Sequence, residues 1–309
     1  MPILLLFIDG LGLGPSDPPT NPLLTASMPQ IRCWLEGRPL SLPSAPYHGA
    51  KTTLLALDAC LGIPGLPQSA TGQAALFTGV NAPRLLGHHL HAFPTGRLKT
   101  LLAEQSLLRS LHQAGKAVTS ANAYSPDYFE QVARRKFRHS ASTLAVLAAG
   151  LPLRQDLAAL AAGNAVYQDL TNLHLQERGF AVPLISPEKA GQNLAGIVSV
   201  HDFTLFEYFQ TDRAGHSRDR QWAETILQQL DAFLGALLAS LDLSRILVIV
   251  TSDHGNIEDI TSKPHTLNPV PCLLLGAARE QAAENLDRID QVAPMIFRLL
   301  TGSQTAPTG

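Results

Sequence analysis

The stretch ILVIVTSDHGN, residues 246–256, decides the fold class and points to the functional site. Its first five residues are apolar and predict a buried strand, which runs almost directly into Asp253 and His254. A second apolar run, Ile3–Ile8, ends in the same way at Asp9. A buried strand is rigid, so it delivers the side chains at its end to a fixed point. We therefore expect these ionisable groups to meet at one edge of a sheet.

Strands and helices alternate along the rest of the chain. This alternation predicts an α/β fold with three layers, α/β/α, around a mostly parallel central sheet. In such sheets ligands bind beyond the carboxyl ends of the strands, where the polar residues of this sequence fall. Further strands are predicted over residues 117–123, 203–210 and 270–275, and helices over residues 98–114, 219–241 and 290–300.

The alternation is weakest between residues 125 and 195, which indicates an insertion. We expect a core formed by residues 1–124 and 196–302, and a small cap or insertion formed by residues 125–195. The polar tail, residues 303–309, is expected to be frayed.

Composition restricts the partners and the location. The 309 residues carry a formal net charge of −2, so no basic field favours nucleic acid or a membrane surface. The N-terminal apolar run is too short to span a bilayer. Cys33, Cys60 and Cys272 are far apart and form no CxxC motif, so we expect reduced thiols in a cytoplasmic protein. Nothing in the sequence indicates the oligomeric state.

Aspartate and histidine recur in four segments that follow or lie between predicted strands. Carboxylate oxygens and imidazole nitrogens together suit Zn²⁺ or Mn²⁺ better than Ca²⁺, which prefers oxygen alone. The spacing of Asp212 and His216 is one helical turn, so both can face one ion. Each residue alone is more often a cap, a turn or an ordinary histidine, and the joint pattern carries the prediction. The candidate ligands are Asp9, Asp212, His216, Asp253, His254 and His265.

The segment PQSATGQ, residues 67–73, places Ser69 in a tight turn that opens a helix. The free backbone N–H groups and the positive end of a helix stabilise an anion at such a position. Ser69 or Thr71 can alternatively act only as the cap of a helix predicted from residue 74. No GxSxG motif is present, so we favour a metal-activated serine nucleophile.

The order FIDG, GLPQSATGQ, D-x-x-x-H, TSDHGN, KPHT and VP resembles the alkaline phosphatase superfamily. More narrowly, it is similar to the branch that contains cofactor-independent phosphoglycerate mutase and phosphopentomutase. The match covers residues 1–80 and 200–300. It implies an alkaline-phosphatase-like core, a serine nucleophile and two divalent ions, Mn²⁺ or Zn²⁺. Ser69 matches the nucleophile because it lies three residues before Gly72, and Thr71 is the rival. The implied ligands are Asp9, Ser69, Asp253 and His254 for one ion and Asp212, His216 and His265 for the other.

The chain departs from this branch between Ser69 and Asp212, where the known mutases carry a larger cap. Basic and polar residues in this interval are candidates for contacts with the substrate. The cluster ARRKFRH, residues 133–139, can alternatively be a solvated helix face. The candidate contacts are Asn81, His89, His91, Arg134, Arg135, Arg138 and His139.

These observations predict a two-metal enzyme that transfers a phosphoryl group from a small phosphate ester through a phosphoserine. Hydrolysis, by a phosphatase or phosphodiesterase, is favoured because a reduced cap should exclude water poorly. A phosphomutase is the first alternative. A non-catalytic scaffold that retains the metal site is the alternative of a different class.

Overall fold

A computed structural model describes residues 1–303, and seven strands of this part form one sheet. Most of the predicted frayed tail, residues 304–309, lies outside the described residues. The predicted strands are present, with shorter bounds at residues 117–123 and 203–210. In chain order the strands are β1 (Ile3–Ile8), β2 (Tyr47–His48), β3 (Thr52–Leu57), β4 (Val118–Ser120), β5 (Phe203–Tyr208), β6 (Leu247–Thr251) and β7 (Val270–Gly276).

The sheet is mixed and mostly parallel, which confirms the predicted fold class. Its strand order is β2-β3-β7-β6-β1-β5-β4. Strands β6, β1, β5 and β4 are parallel neighbours, whereas β7 is antiparallel to both β6 and β3, and β2 is antiparallel to β3. The register pairs Phe7 of β1 with Thr251 of β6 and with Glu207 of β5. The carboxyl ends of β6, β1 and β5 therefore reach the same edge of the sheet.

Most helices of the described chain are short. The helix predicted over residues 98–114 is divided in two because Ser106 adopts extended backbone and caps the second half, accepting a hydrogen bond from Arg109 N at 3.4 Å. Short 3₁₀ helices span Leu42–Ser44 and Ile289–Gln291. The α-helices are α1 (Pro22–Thr25), α2 (Pro29–Trp34), α3 (Ser69–Thr78), α4 (Ala82–Leu86), α5 (Arg97–Gln105), α6 (Leu107–Gln113), α7 (Tyr128–Ala133), α8 (Ala141–Ala148), α9 (Leu157–Ala161), α10 (Leu173–Glu177), α11 (Pro187–Val198), α12 (Gln210–Ser217), α13 (Arg220–Ala239), α14 (Arg279–Ala283) and α15 (Val292–Thr301).

Apolar side chains of alternate strand residues enter two separate core layers. On β1, Ile3, Leu5 and Phe7 pack in one layer with residues of α3, α8 and α15. Leu4 and Leu6 pack in the other layer, with residues of α11 and α13. Because both faces of the sheet are covered by helices, its central strands β1 and β6 are almost entirely apolar, as the continuous runs in the sequence predicted.

The predicted insertion, residues 125–195, does not pack as one separate unit. Helix α8 contributes Ala145 to the first core layer, and α11 contributes Leu194 to the second. A third, small apolar cluster gathers around Leu160, Tyr167 and Leu175. We use the word cap for residues 123–139 and 154–185, which lie largely outside the two main layers, although Val166 and Leu170 pack in the second. The division into domains by sequence stays a prediction. Among the described helices, none is both long and apolar enough to cross a membrane.

Candidate metal centre

The side chains predicted to bind metal follow the ends of three neighbouring strands. Asp9 is the residue after β1, and Asp253 and His254 lie just beyond β6. Asp212 and His216 lie on α12, which begins two residues after β5 ends. Because these strands are parallel and in register, the polar residues that follow their ends meet at the same edge of the sheet.

The first group of candidate ligands surrounds the Nε2 atom of His254. Ser69 Oγ lies 3.0 Å from this nitrogen, Asp9 Oδ1 lies 3.3 Å away and Asp253 Oδ2 lies 3.6 Å away. These four residues are the ones that the family resemblance assigned to one ion. The structure therefore brings this group together, and its role as a ligand set is a proposal taken up below.

The second group joins α12 to the loop between β6 and β7. His216 Nε2 lies 3.2 Å from His265 Nε2 and 3.4 Å from Asp212 Oδ2. Each Nδ1 faces a backbone carbonyl at 2.9 Å, that of Lys263 for His216 and that of Pro67 for His265. These contacts favour the tautomer with the proton on Nδ1, which leaves Nε2 of each ring free to bind a metal ion. The predicted helical turn between Asp212 and His216 is present.

The two groups form one continuous site. Ligand atoms of Asp9, Asp212 and His254 lie within 4.8 Å of one another, as do those of Asp212, His216 and His265. The rings of His254 and His265 are stacked with centroids 3.6 Å apart. Asp212 thus connects the groups, as expected for a centre that holds two neighbouring cations.

The electrostatics of the site fit a bound cation. Burial, followed by repulsion from the carboxylates of Asp253 and Asp212, raises the pKa of Asp9 well above its usual value. Burial and repulsion from Asp212 likewise raise the pKa of Asp253. Both carboxyl oxygens of Asp253 are buried and have no hydrogen-bond partner. Buried carboxylates without partners are costly, and a divalent ion between them removes that cost.

His254, His265 and Asp212 are already in the protonation states that metal binding requires, whereas the contact with Asp212 raises the pKa of His216. Burial, with repulsion from His265, lowers the pKa of His254 to about 3, and burial also lowers the pKa of His265. Burial raises the pKa of Asp212, but the contact with His216, the nearby His254 and a hydrogen bond from Asn256 outweigh burial and lower this pKa to about 2. Metal ligands must be neutral imidazole or ionised carboxylate, which these groups supply at neutral pH.

Ser69 is the first residue of α3, and not the cap of a helix that begins at residue 74. The helix starts earlier than predicted, and Gln68 occupies the N-cap position without a side-chain hydrogen bond. The hydroxyl of Ser69 is therefore free to face His254. The rival Thr71 is buried, where its hydroxyl donates to Gln68 O at 3.2 Å and accepts from Leu90 N at 3.2 Å.

Gly72 explains why a glycine follows the serine by three residues. A Cβ atom at this position would lie 2.7 Å from the backbone oxygen of Asp253. Only glycine lets the first turn of α3 approach the end of β6 so closely. Gly10 has a similar role after β1, because its φ is +71° and a Cβ there would lie 2.8 Å from Asp212.

Several residues that support the site were missed by the sequence analysis. Glu258 is buried and accepts hydrogen bonds from Gly12 N at 2.9 Å, from Asn256 N at 2.8 Å and from the Asn268 side chain at 3.1 Å. Gln73 donates to Asp9 Oδ2 at 3.2 Å. The signal for Glu258 was its place two residues after DHGN, but an acid there is equally typical of an exposed loop. Its position shows that it joins the loop after β1 to two segments of the loop between β6 and β7.

A cavity of about 820 Å³ opens at the metal centre, and Asp9, Ser69 and Asp212 form part of its lining. Of the predicted substrate contacts, Arg135 and Arg138 line this cavity. The others have different surroundings and do not line it. His139 is hydrogen-bonded to the Tyr128 hydroxyl, and Arg134 forms an ion pair with Glu130. Asn81 caps α4 and donates to Leu61 O. His89 faces Ile63 O, and His91 is exposed.

The ARRKFRH cluster is a loop, so its interpretation as a solvated helix face is wrong. Helix α7 ends at Ala133, and Arg135 has a φ of 58°, in the left-handed region, which helix geometry does not allow. The chain reverses here, and Lys136, Phe137 and Arg138 join Arg135 in the lining of the cavity.

Glu207 is a further residue of the cavity that sequence reasoning missed. It lies within β5, accepts a short hydrogen bond from Ser142 and is almost completely buried. Burial raises its pKa to about 7. Its place within an otherwise apolar run was unusual, but nothing else in the sequence marked Glu207 as a residue of the cavity.

Comparison with known proteins agrees with this architecture. Residues 186–301 match the family model of the Metalloenzyme superfamily. The 2,3-bisphosphoglycerate-independent phosphoglycerate mutase of Dinoroseobacter shibae is 34% identical over 126 residues, which cover 38% of this chain and 25% of the mutase. The corresponding enzyme of Roseobacter denitrificans is 35% identical over 122 residues, covering 37% and 24%. The chain thus spans about a quarter of the length of these relatives.

Solved structures share the fold over nearly the whole chain. The PH0037 protein of Pyrococcus horikoshii superposes with a TM-score of 0.60 at 15% identity, and 98% of each chain is covered. The alkaline phosphatase of the Antarctic bacterium TAB5 superposes with a TM-score of 0.54 at 14% identity and the same coverage. The predicted resemblance to the alkaline phosphatase superfamily is confirmed. The chain has an alkaline-phosphatase-like fold, and its C-terminal part, residues 186–301, matches the model of the Metalloenzyme superfamily. The named relatives of this class are enzymes.

Proposed function

We propose that this protein is a metal-dependent enzyme that hydrolyses a small phosphate ester through Ser69. The observation that carries this proposal is the position of the Ser69 hydroxyl, 3.0 Å from His254 Nε2 at the N-terminus of α3 and in the lining of the cavity. A serine there is next to both groups of candidate metal ligands and is open to a substrate. The same residue is too poor a nucleophile without such surroundings.

Two divalent ions, Mn²⁺ or Zn²⁺, fit the mixed oxygen and nitrogen donors of the site. We assign Asp9, Ser69, Asp253 and His254 to one ion, and Asp212, His216 and His265 to the other. Bound at these residues, the ions supply positive charge that neutralises the phosphoryl group and favours ionised serine. The unpartnered oxygens of Asp253 are the structural support for this assignment.

The residues of the chain account for the rest of the reaction. Ser69 Oγ forms a bond to phosphorus while the bond to the ester oxygen breaks, and the leaving alcohol takes up the proton that the serine loses. Water then attacks the phosphoserine, which releases phosphate and restores the hydroxyl. The positive end of α3 stabilises the charged phosphoryl oxygens in both steps. Arg135, Lys136, Arg138 and Arg213 add positive charge along the cavity.

Access of water favours hydrolysis over internal transfer. The side chain of His216 is 41% exposed and that of Asp212 is 17% exposed, so solvent reaches the edge of the centre. A phosphomutase is the second candidate, favoured by the phosphoglycerate mutases among the relatives. We also propose a cytoplasmic location, because Cys33, Cys60 and Cys272 are all unpaired thiols.

Phosphate release from a panel of phosphomonoesters and phosphodiesters tests this function. The protein is treated with EDTA, and Mn²⁺ and Zn²⁺ are then restored separately, with phosphorus NMR of sugar phosphates and phosphoglycerates alongside. Free phosphate that depends on metal supports hydrolysis. Phosphate that migrates within the substrate without release would replace the hydrolase by a mutase, and no reaction in the metal-loaded protein would contradict both.

A further inference from the structure

The cavity next to Ser69 is unusually rich in aromatic side chains. The chain has five tyrosines, and three of them line this one cavity, together with three phenylalanines. These residues come from the cap, from the loop before α5 and from the end of β5. The six side chains are Phe93, Tyr124, Tyr128, Phe137, Tyr167 and Phe209.

The cavity is also large for the ester of a small aliphatic alcohol. Its volume of about 820 Å³ lies within the range of about 300–1,000 Å³ in which pockets bury drug-sized ligands. A phosphoryl group at Ser69 occupies only one end of such a space. The remaining volume indicates a leaving group with considerable bulk.

The rings are arranged to contact a ligand through their surfaces. The hydroxyl of Tyr124 is bonded to Thr143 at 3.0 Å and that of Tyr128 to His139 at 2.9 Å, which fixes both rings. Phe93 and Phe137 are 36% and 38% exposed, although they are large apolar side chains. Exposed phenyl rings in a concave surface are typical of a site for an apolar or flat ligand group.

Cationic and polar groups accompany the rings. The guanidinium of Arg138 lies 5.8 Å from the centre of the Phe93 ring, and Arg138 forms no ion pair within residues 1–303. The guanidinium of Arg178 lies 5.7 Å from the centre of the Phe137 ring. Planar guanidinium groups and aromatic rings are the side chains on which nucleobases stack. The carboxylate of Glu177 also lines the cavity and can accept hydrogen bonds from a base.

We propose that the aromatic side of this cavity is a nucleoside-binding subsite, so that the substrate is a nucleotide. This inference rests on the proposed function, because it places the phosphate at Ser69 and the base among the rings. Phe93 and Phe137 stack on the base, and Arg138 adds charge that attracts the anionic nucleotide, whereas the charge of Arg178 is paired with Asp127 at 2.8 Å. An aliphatic phosphate such as a phosphoglycerate or a sugar phosphate leaves these rings without a partner.

Calorimetric binding to the metal-loaded Ser69→Ala variant tests the subsite without turnover. The probes are AMP and glycerol 3-phosphate, which share the phosphate monoester and differ in the alcohol, a nucleoside in the first and a small aliphatic alcohol in the second. We expect AMP to bind at least about tenfold more tightly. The double variant Phe93→Leu, Phe137→Leu should raise the Kd of AMP about tenfold and leave that of glycerol 3-phosphate unchanged. Equal affinity for the two probes, or equal weakening of both, would overturn the proposal.

Two controls separate the subsite from the other parts of the account. Phe129→Leu removes an exposed ring that lies outside the cavity lining, so AMP binding should not change. Adenosine, which lacks phosphate, is titrated into the wild-type protein and into the Phe93→Leu, Phe137→Leu variant, where its binding should weaken as that of AMP does. Base-dependent binding without phosphate release in the wild type would leave the subsite standing and reject the proposed hydrolysis. Metal-dependent phosphate release with no preference for the base would support the proposed hydrolysis and reject the nucleoside subsite.

Discussion

The metal centre and the aromatic side of the cavity are built by different means. The candidate ligands Asp253 and His254 are fully buried, and they follow the end of β6, whose register with β1 fixes their positions. The aromatic and cationic groups stand on short helices and loops, and Phe137 is 38% exposed. From this difference we infer that the chemistry of the protein depends on the rigid sheet, whereas the choice of substrate depends on segments with few buried contacts. Each prediction below tests one side of this contrast.

The largest effect is expected for the nucleophile. Ser69→Ala should lower turnover by at least about 10³-fold, because no other hydroxyl can take the position next to His254. Thr71→Val removes the rival hydroxyl while preserving its shape, and it should keep most of the activity. Steady-state rates with the best substrate of the panel measure both effects, and unfolding temperatures confirm that both variants are folded. Loss of turnover in Thr71→Val with activity retained in Ser69→Ala would exchange the two roles.

Substitution of a ligand in one group should remove the ion of that group and leave the other ion bound. Wild-type protein should bind two ions, whereas Asp253→Asn should weaken the site of Asp9 and His254 by about 10²-fold or more and keep the other ion. His216→Ala should have the converse effect. Asp242→Asn, in an exposed turn before β6, is the matched control and should retain both ions. Elemental analysis after dialysis measures the stoichiometry, and an unchanged value in Asp253→Asn would make this carboxylate structural.

Glu207 should make the stability of the metal-free protein depend on pH. Its pKa rises from 4.5 to about 7 on folding, so the folded state holds a proton that the unfolded chain releases. The resulting stability is present below about pH 4.5 and is lost as the pH rises through about 7. Between pH 4.5 and 8 the free energy of unfolding should fall by about 3 kcal/mol more in the wild type than in Glu207→Gln.

Denaturant titrations at several pH values, in EDTA, measure this difference. Asp9 and Asp253 titrate in both proteins, and because Glu207 helps to raise the pKa of Asp9, the comparison measures Glu207 together with its effect on Asp9. Parallel stability curves for wild type and Glu207→Gln would show that this carboxyl group does not hold a proton in the folded state.

The smallest effect is expected on the cationic loop of the cap. The triple variant Arg135→Gln, Lys136→Gln, Arg138→Gln should raise KM about tenfold with little change in kcat. These side chains are solvent-exposed, so we expect them to attract the substrate and not to take part in the reaction at Ser69. Arg134→Gln is the matched control, because Arg134 pairs with Glu130 outside the cavity lining. Equal changes in the two proteins would show that general surface charge, and not this loop, attracts the substrate.

The sequence predicted the sheet and the clustering of the candidate metal ligands because both depend on local patterns. Apolar runs such as Ile3–Ile8 specify buried strands, and their polar ends mark the functional edge. The cap was predicted poorly. Its residues contact the cavity only because the chain turns at Arg135 and because Tyr128 packs against His139, and neither feature has a periodic signal. Glu258 and Glu207 were missed for the same reason, since their partners lie far away in the sequence.

Phosphate on Ser69 is the most direct test of the central claim. The metal-loaded protein is mixed with the best substrate of the panel, quenched in acid within the first turnovers and digested for mass spectrometry. The account predicts a phosphorylated peptide containing Ser69 that is absent after EDTA treatment and absent in Ser69→Ala. Rapid metal-dependent turnover with no phosphate on this peptide at any quench time would contradict it.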